Sequence, residues 1–215
     1  LSPVSPRERL AREAIRLHDR YQVELIERFA LCPWARHARE ANRTRTHVVL
    51  DAPCLPNELE PVLEGWDADD SVDVAFVIAP KFEDGPDAFA RWAVSLAALV
   101  DDRFLSATFH PRVDEVAGSV RFFRQTPDPT AQLIRRSRLE EVRAQDPPHY
   151  KDIFSLSLED LHADRAPKTV AASVIEHNQR VLDREGRDTL QAILDDIYAD
   201  RDRTYAKLMP LVQAQ

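Results

Sequence analysis

Glycine is scarce in this chain: four residues in 215, Gly65, Gly85, Gly118 and Gly186, with no two close together. Loops that cradle phosphates or dinucleotides need clustered glycines so that backbone can approach the ligand. Their absence excludes Walker-type nucleotide hydrolases and Rossmann oxidoreductases. Cysteine is scarcer still. Cys32 and Cys54 are too few for a disulfide framework and lack C-x-x-C spacing, so a reducing, cytoplasmic setting is expected. The seven histidines are scattered, with no H-x-H or H-E-x-x-H, and neither a metal nor a cofactor is expected. No apolar run approaches the roughly 20 residues of a membrane span. The opening Leu1-Ser2-Pro3-Val4-Ser5-Pro6 does not resemble a secretory signal. There is no basic surplus either. Lys and Arg number 29 against 37 Asp and Glu, a net charge of −8, which argues against nucleic acid and anionic membrane as partners.

What is present is strong periodicity. Residues 7–31 carry Leu10, Ala14, Leu17, Tyr21, Leu25 and Phe29 at spacings of three and four, which predicts a long amphipathic helix. Ser5 is placed to cap it, with Pro6 first in the helix. His47–Leu50 reads as a first strand after a loop at 42–46. Asn57 reads as the cap of a helix to about Leu63, stopped by Gly65. Val72–Pro80 is β-branched and apolar on both alternating sets, so it is expected to be a central strand covered on both faces. Residues 86–100 repeat Phe89, Trp92, Ala93, Leu96 and Leu99 at helical spacing, and 105–109 form a further strand. Residues 120–123 read as a short strand or packed loop.

Farther on, Thr126-Pro127-Asp128-Pro129-Thr130 reads as a helix start, with Asp128 as cap and a helix through Ala131–Arg143. Residues 146–167, with their prolines, read as an irregular excursion. Helices are expected from Val170 to Arg184 and from about Asp188 to Leu211. The chain is thus expected to be one domain, α/β or α+β. A small central sheet of about three to four strands is flanked by helices, with a long N-terminal and an added C-terminal helix. The apolar stripe of that last helix needs a cover. The chain's own first helix is favoured over a second copy, hence a monomer over a homodimer.

The stretch Phe29-Ala30-Leu31-Cys32-Pro33-Trp34-Ala35 is the most informative. Pro33 forces the residue before it out of helical geometry and suits the first turn of a new helix, which would make Cys32 its cap. A thiolate is favoured by a helix amino end and disfavoured by a carboxyl end; a lone cysteine beside tryptophan also reads as a small buried hydrophobe.

Leu31-Cys32-Pro33-Trp34-Ala35, Phe109-His110-Pro111, Thr126-Pro127-Asp128-Pro129-Thr130 with Leu133-Ile134-Arg135, and Asn178 together resemble an uncharacterised bacterial family, a domain of unknown function. Its members look like L-C-P-F-A, F-H-P, R-S-P-x-P-T-x-H-L-L-R and a late E-R-N. The resemblance covers roughly residues 20–186 and implies no known activity; it leaves 187–215 as an added helical arm. This chain has Gln132 where the family has histidine and Gln125-Thr126 where it has Arg-Ser. A catalytic role for that histidine would imply altered or lost activity here.

Cys32, His110 and Asn178 make a nucleophilic set if they meet in space: histidine takes the thiol proton and asparagine orients histidine. Arg36, Thr126 and Arg135 are then the expected substrate-binding residues. The basic run Arg36, His37, Arg39, Arg43, Arg45, His47 beside the thiol points to a small anionic ligand. The expected function is a small-molecule enzyme with a Cys/His site acting on an anionic substrate. The alternative is a binding or scaffold protein in which the same residues pack and cap: His110 bonded to a carbonyl, Arg135 paired with Glu140 or Glu141, and the basic run paired with carboxylates.

Overall fold

Why the sheet forms where it does is clearest at Val74–Ile78 (β2), whose five residues are all buried. A computed structural model describes residues 4–32, 34–51, 56–113, 122–138, 141 and 170–214. In it β2 pairs in parallel with Thr44–Val48 (β1) on one side and antiparallel with Thr130–Arg135 (β4) on the other. Phe104–Phe109 (β3) closes the far edge against β4, giving the order β1-β2-β4-β3. This is an α+β arrangement, a four-stranded mixed sheet with helices on both faces.

Because strand side chains alternate, Ala75, Val77, Ala131 and Leu133 face one layer, built from Glu60–Ala68 (α3) and Pro86–Ala97 (α4). On the opposite face, Val74 and Phe76 meet Ala38 of Ala35–Glu40 (α2) and His18 of Pro6–Tyr21 (α1). Behind α1 a second core forms, shared with Val170–Glu185 (α5) and Arg187–Gln213 (α6). α6 buries Leu190, Leu194 and Ile197 against the stripe of α1. Arg16 and Arg20 of α1 bridge to Asp200, at 2.7–2.8 Å. The apolar stripe of the C-terminal helix is therefore covered by the chain's own first helix.

Local signals act as expected in several places. Ser5 and Glu8 form a reciprocal capping box, with Pro6 opening α1. Gly186 separates α5 from α6 at φ +82°, a conformation that suits glycine. Four expectations need correction. The segment after Pro129 is not a helix but the inner strand β4; helical backbone begins only at Arg136. The slot between β2 and β3 pairs both edges of Thr130–Arg135, and alternation buries Ala131 and Leu133, so tertiary pairing overrides the helix-start chemistry. Strand β1 starts at Thr44, inside the expected loop. Helix α3 runs through Gly65 to Ala68. The first long helix stops being α at Tyr21 and continues as a π-helical segment, Gln22–Glu27. Cys54, Pro33 and the excursion at 146–167 lie outside the described residues; of 120–123, Phe122 and Phe123 are described, and both are buried in the α1/α6 core.

Candidate functional site: a polar cleft beside the Cys32 turn

The Cys-Pro break is prepared several residues upstream. In the π-helical segment each turn holds an extra residue, and the Leu31 N–H still donates to the Ile26 carbonyl, five residues back, at 2.8 Å. Ala30 then takes φ +53°, a left-handed conformation disfavoured for a residue with a Cβ. Trp34, not Cys32, occupies the cap position of α2. Cys32 precedes it, packed against the α1/α6 core. Its sulfur accepts the backbone N–H groups of Trp34 and Ala35, but burial outweighs both and raises the thiol above its ordinary pKa. The thiol is therefore protonated at neutral pH.

His110 sits elsewhere, at the end of β3, in the α4 layer, with its ring centroid 6.0 Å from that of Phe89. Its Nδ1 accepts the Arg112 backbone N–H at 3.0 Å, and its Nε2 lies 3.2 Å from the Asp84 carbonyl. Both ring nitrogens are engaged, and burial lowers the pKa. The structure thus places Cys32 and His110 in different cores, on opposite faces of the sheet. Asn178 is closer to the thiol's side. It lies buried on α5 with its Oδ1 unpartnered, and the adjacent His177 reaches the Phe29 carbonyl at 3.4 Å.

The expected substrate-binding residues are likewise held by the protein. Thr126 is buried and donates its hydroxyl to the Asp128 carbonyl at 2.7 Å. Arg135 finishes the carboxyl end of α3: its guanidinium donates to the carbonyls of Trp66 (2.8 Å), Asp69 (3.0 Å) and Val72 (2.7 Å) and stacks over Phe104. It is not paired with Glu141, whose partner is Arg138. Arg36 donates to the Glu27 carbonyl at 3.1 Å. The basic run is largely spent on carboxylates: Arg39 grips Glu27 at 2.6 and 2.7 Å, Arg43 grips Asp73 at 2.6 and 2.8 Å, and Arg45 reaches Asp69 at 3.1 Å.

What the turn does create is a cleft of about 40 Å³. One wall is the end of α1 and the π-helical segment, with His18, Asp19, Gln22 and Glu27; the other is Ala35 and Arg39 of α2. Thr44, Thr46, Val74 and Phe76 of the sheet form its floor. At roughly 10–15 Å³ per water, it admits a group of a few heavy atoms. His18 is its deepest polar member, only 4% exposed. Its ring packs on Phe76 at 4.4 Å between centroids, and burial lowers its pKa from 6.5 to about 4. The imidazole is therefore neutral, and its Nδ1 has no hydrogen-bond partner. At the exposed mouth, Asp19 has its carboxyl raised by desolvation, opposed by the charge of Arg39.

His18 and Glu27 were not distinguished by motif. Their one signal in the sequence is position: His18 and Glu27 border the apolar stripe of the first helix beside Leu17 and Ile26, where a titratable residue must be buried with a partner or face a cavity. Gln132, which stands where the resembled family has histidine, pairs in register with Phe76, on the sheet face that floors the cleft. No protein-family model matches this chain, and the searches of curated proteins and of solved structures return no match.

Proposed function

We propose that this protein binds a small polar molecule in the cleft between α1, α2 and the sheet, with Cys32 and His110 as packing and tethering groups rather than a catalytic pair. One observation carries the reading: the buried, neutral His18 lines a cavity whose walls also hold the buried Glu27 carboxylate, gripped by the exposed Arg39. Polar groups are costly to bury, so two titratable side chains set beside a cavity rather than in a dry core favour a site that a small polar molecule completes. The committed Arg39–Glu27 pair argues for a ligand without strong net charge. With α6 covered by α1, a monomer is the favoured state, and two scattered cysteines fit a cytoplasmic setting. The test is a fragment screen by NMR on the full chain. Binders should shift resonances of His18, Gln22, Thr44 and Thr46, and His18→Phe, which keeps the ring on Phe76, should abolish those shifts. Fragments that bind only at other places would overturn the reading.

A second reading has one observation in its favour. The Trp34 and Ala35 N–H groups favour the Cys32 thiolate, as an enzyme attacking an anionic substrate would require, although the Ala35 N–H also donates to the Cys32 carbonyl at 3.3 Å. Iodoacetamide decides between them. Folded protein should react at Cys32 more slowly than an unperturbed thiol of pKa about 8.5; faster reaction would restore the nucleophile.

A further inference from the structure

We infer that α2 is a strap over the cleft, clasped by Glu27, and that entry to the cleft is controlled by local opening of this strap, a control that presupposes the cleft's role as a binding site. The strap runs between two anchors. At one end Leu31, Cys32 and Ala35 pack against the α1/α6 core. At the other, the Arg43 carbonyl accepts the N–H groups of Asp73 (2.9 Å) and Val74 (3.3 Å), and its guanidinium grips the Asp73 carboxylate. Between these anchors the main-chain hydrogen bonds made among the described residues close on the segment itself: Ala38 to Trp34, Ala41 to His37, Asn42 to Arg39 and Arg43 to Ala38. None of them ties Arg36–Asn42 to a neighbouring element. Ala30 and Asn42, at φ +53° and +56°, set the segment off from the π-helical stretch before it and the strand after it.

Little holds the strap down. A helix of six residues does not persist in water on its own, because so few bonds cannot repay nucleation. In the span Arg36–Asn42 one residue is buried, Ala38, which rests on Val74 and Phe76 of β2. Segments with so few buried apolar contacts are the ones that open below the global unfolding transition. The polar tie is Glu27. Its carboxylate accepts Arg39 Nε and Nη2 at 2.6 and 2.7 Å, and its carbonyl accepts Arg36 at 3.1 Å. Such a fork is strong and directional. Glu27 is 3% exposed on its side chain, but Arg36 and Arg39 are 60% and 44% exposed, which leaves the clasp open to competition from water and salt. Glu27, Arg39, Val74 and Phe76 all line the cleft. Releasing Arg39 from Glu27 therefore undoes one wall of the cavity and uncovers the part of its floor that Ala38 protects.

A cysteine under the strap reads this opening in the full chain. Val74→Cys puts a thiol beneath Ala38, and Val77→Cys puts one on the opposite face of the same strand, in the α3/α4 core. Both parent residues are buried, at 5% and 1% exposure. Alkylation by iodoacetamide, followed by peptide mass spectrometry, should proceed at least about tenfold faster at position 74 than at 77, since only the former is reached by local opening. Raising NaCl from about 0.02 to about 0.5 M should speed the reaction at 74 several-fold and leave 77 unchanged. Glu27→Gln, which keeps the shape of the side chain and removes its charge, should speed 74 by a further factor of about ten. Where that variant does not fold, the salt series on Val74→Cys decides. Equal rates at 74 and 77 would mean that α2 lifts only when the whole molecule unfolds, and the strap falls while the cleft stands as a binding site. A thiol at 74 that reacts fast but ignores both salt and Glu27→Gln would overturn Glu27 as the clasp. Failure of the fragment screen removes the site, and the control of entry with it, even where position 74 behaves as expected.

Discussion

The two faces of the sheet are finished in different ways. Against Ala75, Val77, Ala131 and Leu133, the α3/α4 layer closes with Phe82, Phe89 and Trp92, whose ring centroids lie 5.1–6.0 Å apart. Its polar members His110 and Arg135 are tied to main-chain groups, and Asp67 pairs one carboxylate oxygen with Arg103 and leaves the other, Oδ1, unpartnered. The α1/α6 side is as apolar at its centre, with Leu10, Leu17, Leu194 and Ile197 wholly buried. Yet it encloses His18, Glu27, Asp128 and Asn178, and among its buried polar atoms His18 Nδ1, Asn178 Oδ1, Gln125 Nε2 and Tyr198 Oη are unpartnered. One side is optimised for packing. The other carries polar groups whose cost packing alone does not explain, and it is the side where a ligand would be expected.

The sharpest way to break that contrast is at Asp128. This carboxylate is 2% exposed on its side chain and sits between Arg201 at 2.8 Å and the Tyr205 hydroxyl at 2.6 Å. Asp128→Ala leaves both partners without it and should destabilise the fold by about 3–5 kcal/mol, the usual cost of breaking a buried pair from one side. Urea unfolding measures it. Removing all three groups together, as Asp128→Ala with Arg201→Met and Tyr205→Phe, should recover much of the loss, because no orphan then remains. A single variant as stable as the parent would mean that the ion pair contributes no more than surface charge does.

Asp128 also shows why the sequence is legible in some places and not in others. The start of α1, the buried strand β2 and the break at Gly186 follow from local chemistry: a capping box, an uninterrupted β-branched run, a glycine at positive φ. Pro127-Asp128-Pro129 has the local chemistry of a helix start. What decides its conformation is the empty slot between β2 and β3, a pairing between residues far apart in sequence. The cleft was hidden for a related reason. His18 and Arg39 are separated by a π-helical segment that no spacing rule announces, whereas Cys32, His110 and Arg135 stand in motifs that attract attention and are then used to hold the chain. Their structural alternatives, a carbonyl-bonded histidine and a basic run paired with carboxylates, describe their contacts well; Arg135 differs, since it closes a helix end instead of pairing with a glutamate.

A smaller effect isolates His18 by pH. In the folded protein His18 titrates at about 4 rather than 6.5, so between those values the unfolded chain holds a proton that the native one refuses. Above about pH 6.5 both states are neutral and the group has no effect. As pH falls from 6.5 towards 4, stability is lost, by up to about 3 kcal/mol. His47 and His110 are lowered in the same direction by burial, so the wild-type slope alone does not isolate His18. His18→Phe does: its urea midpoint should fall less between pH 7 and about 4.5. Equal slopes in the two proteins would mean that His18 keeps its ordinary pKa on folding, and the neutral imidazole on which the cleft reading rests would go with it.

The smallest effect tests the turn that joins the two halves of the site. Ala30 holds φ +53° between the π-helical segment and Cys32, and a left-handed alanine costs about 1–2 kcal/mol. Glycine removes that strain but adds freedom to the unfolded chain, worth about 0.4–1 kcal/mol in the other direction. Ala30→Gly should therefore stabilise by about 0.5 kcal/mol, read as a slightly higher urea midpoint with unchanged slope. The Leu31 N–H to Ile26 carbonyl bond keeps the turn in place, so Cys32 should stay as slow towards iodoacetamide as in the parent. If instead the variant is less stable and its thiol reacts faster, the alanine side chain is what holds the turn shut, and the α1/α6 side owes its closure to that methyl group rather than to the backbone bonds around it.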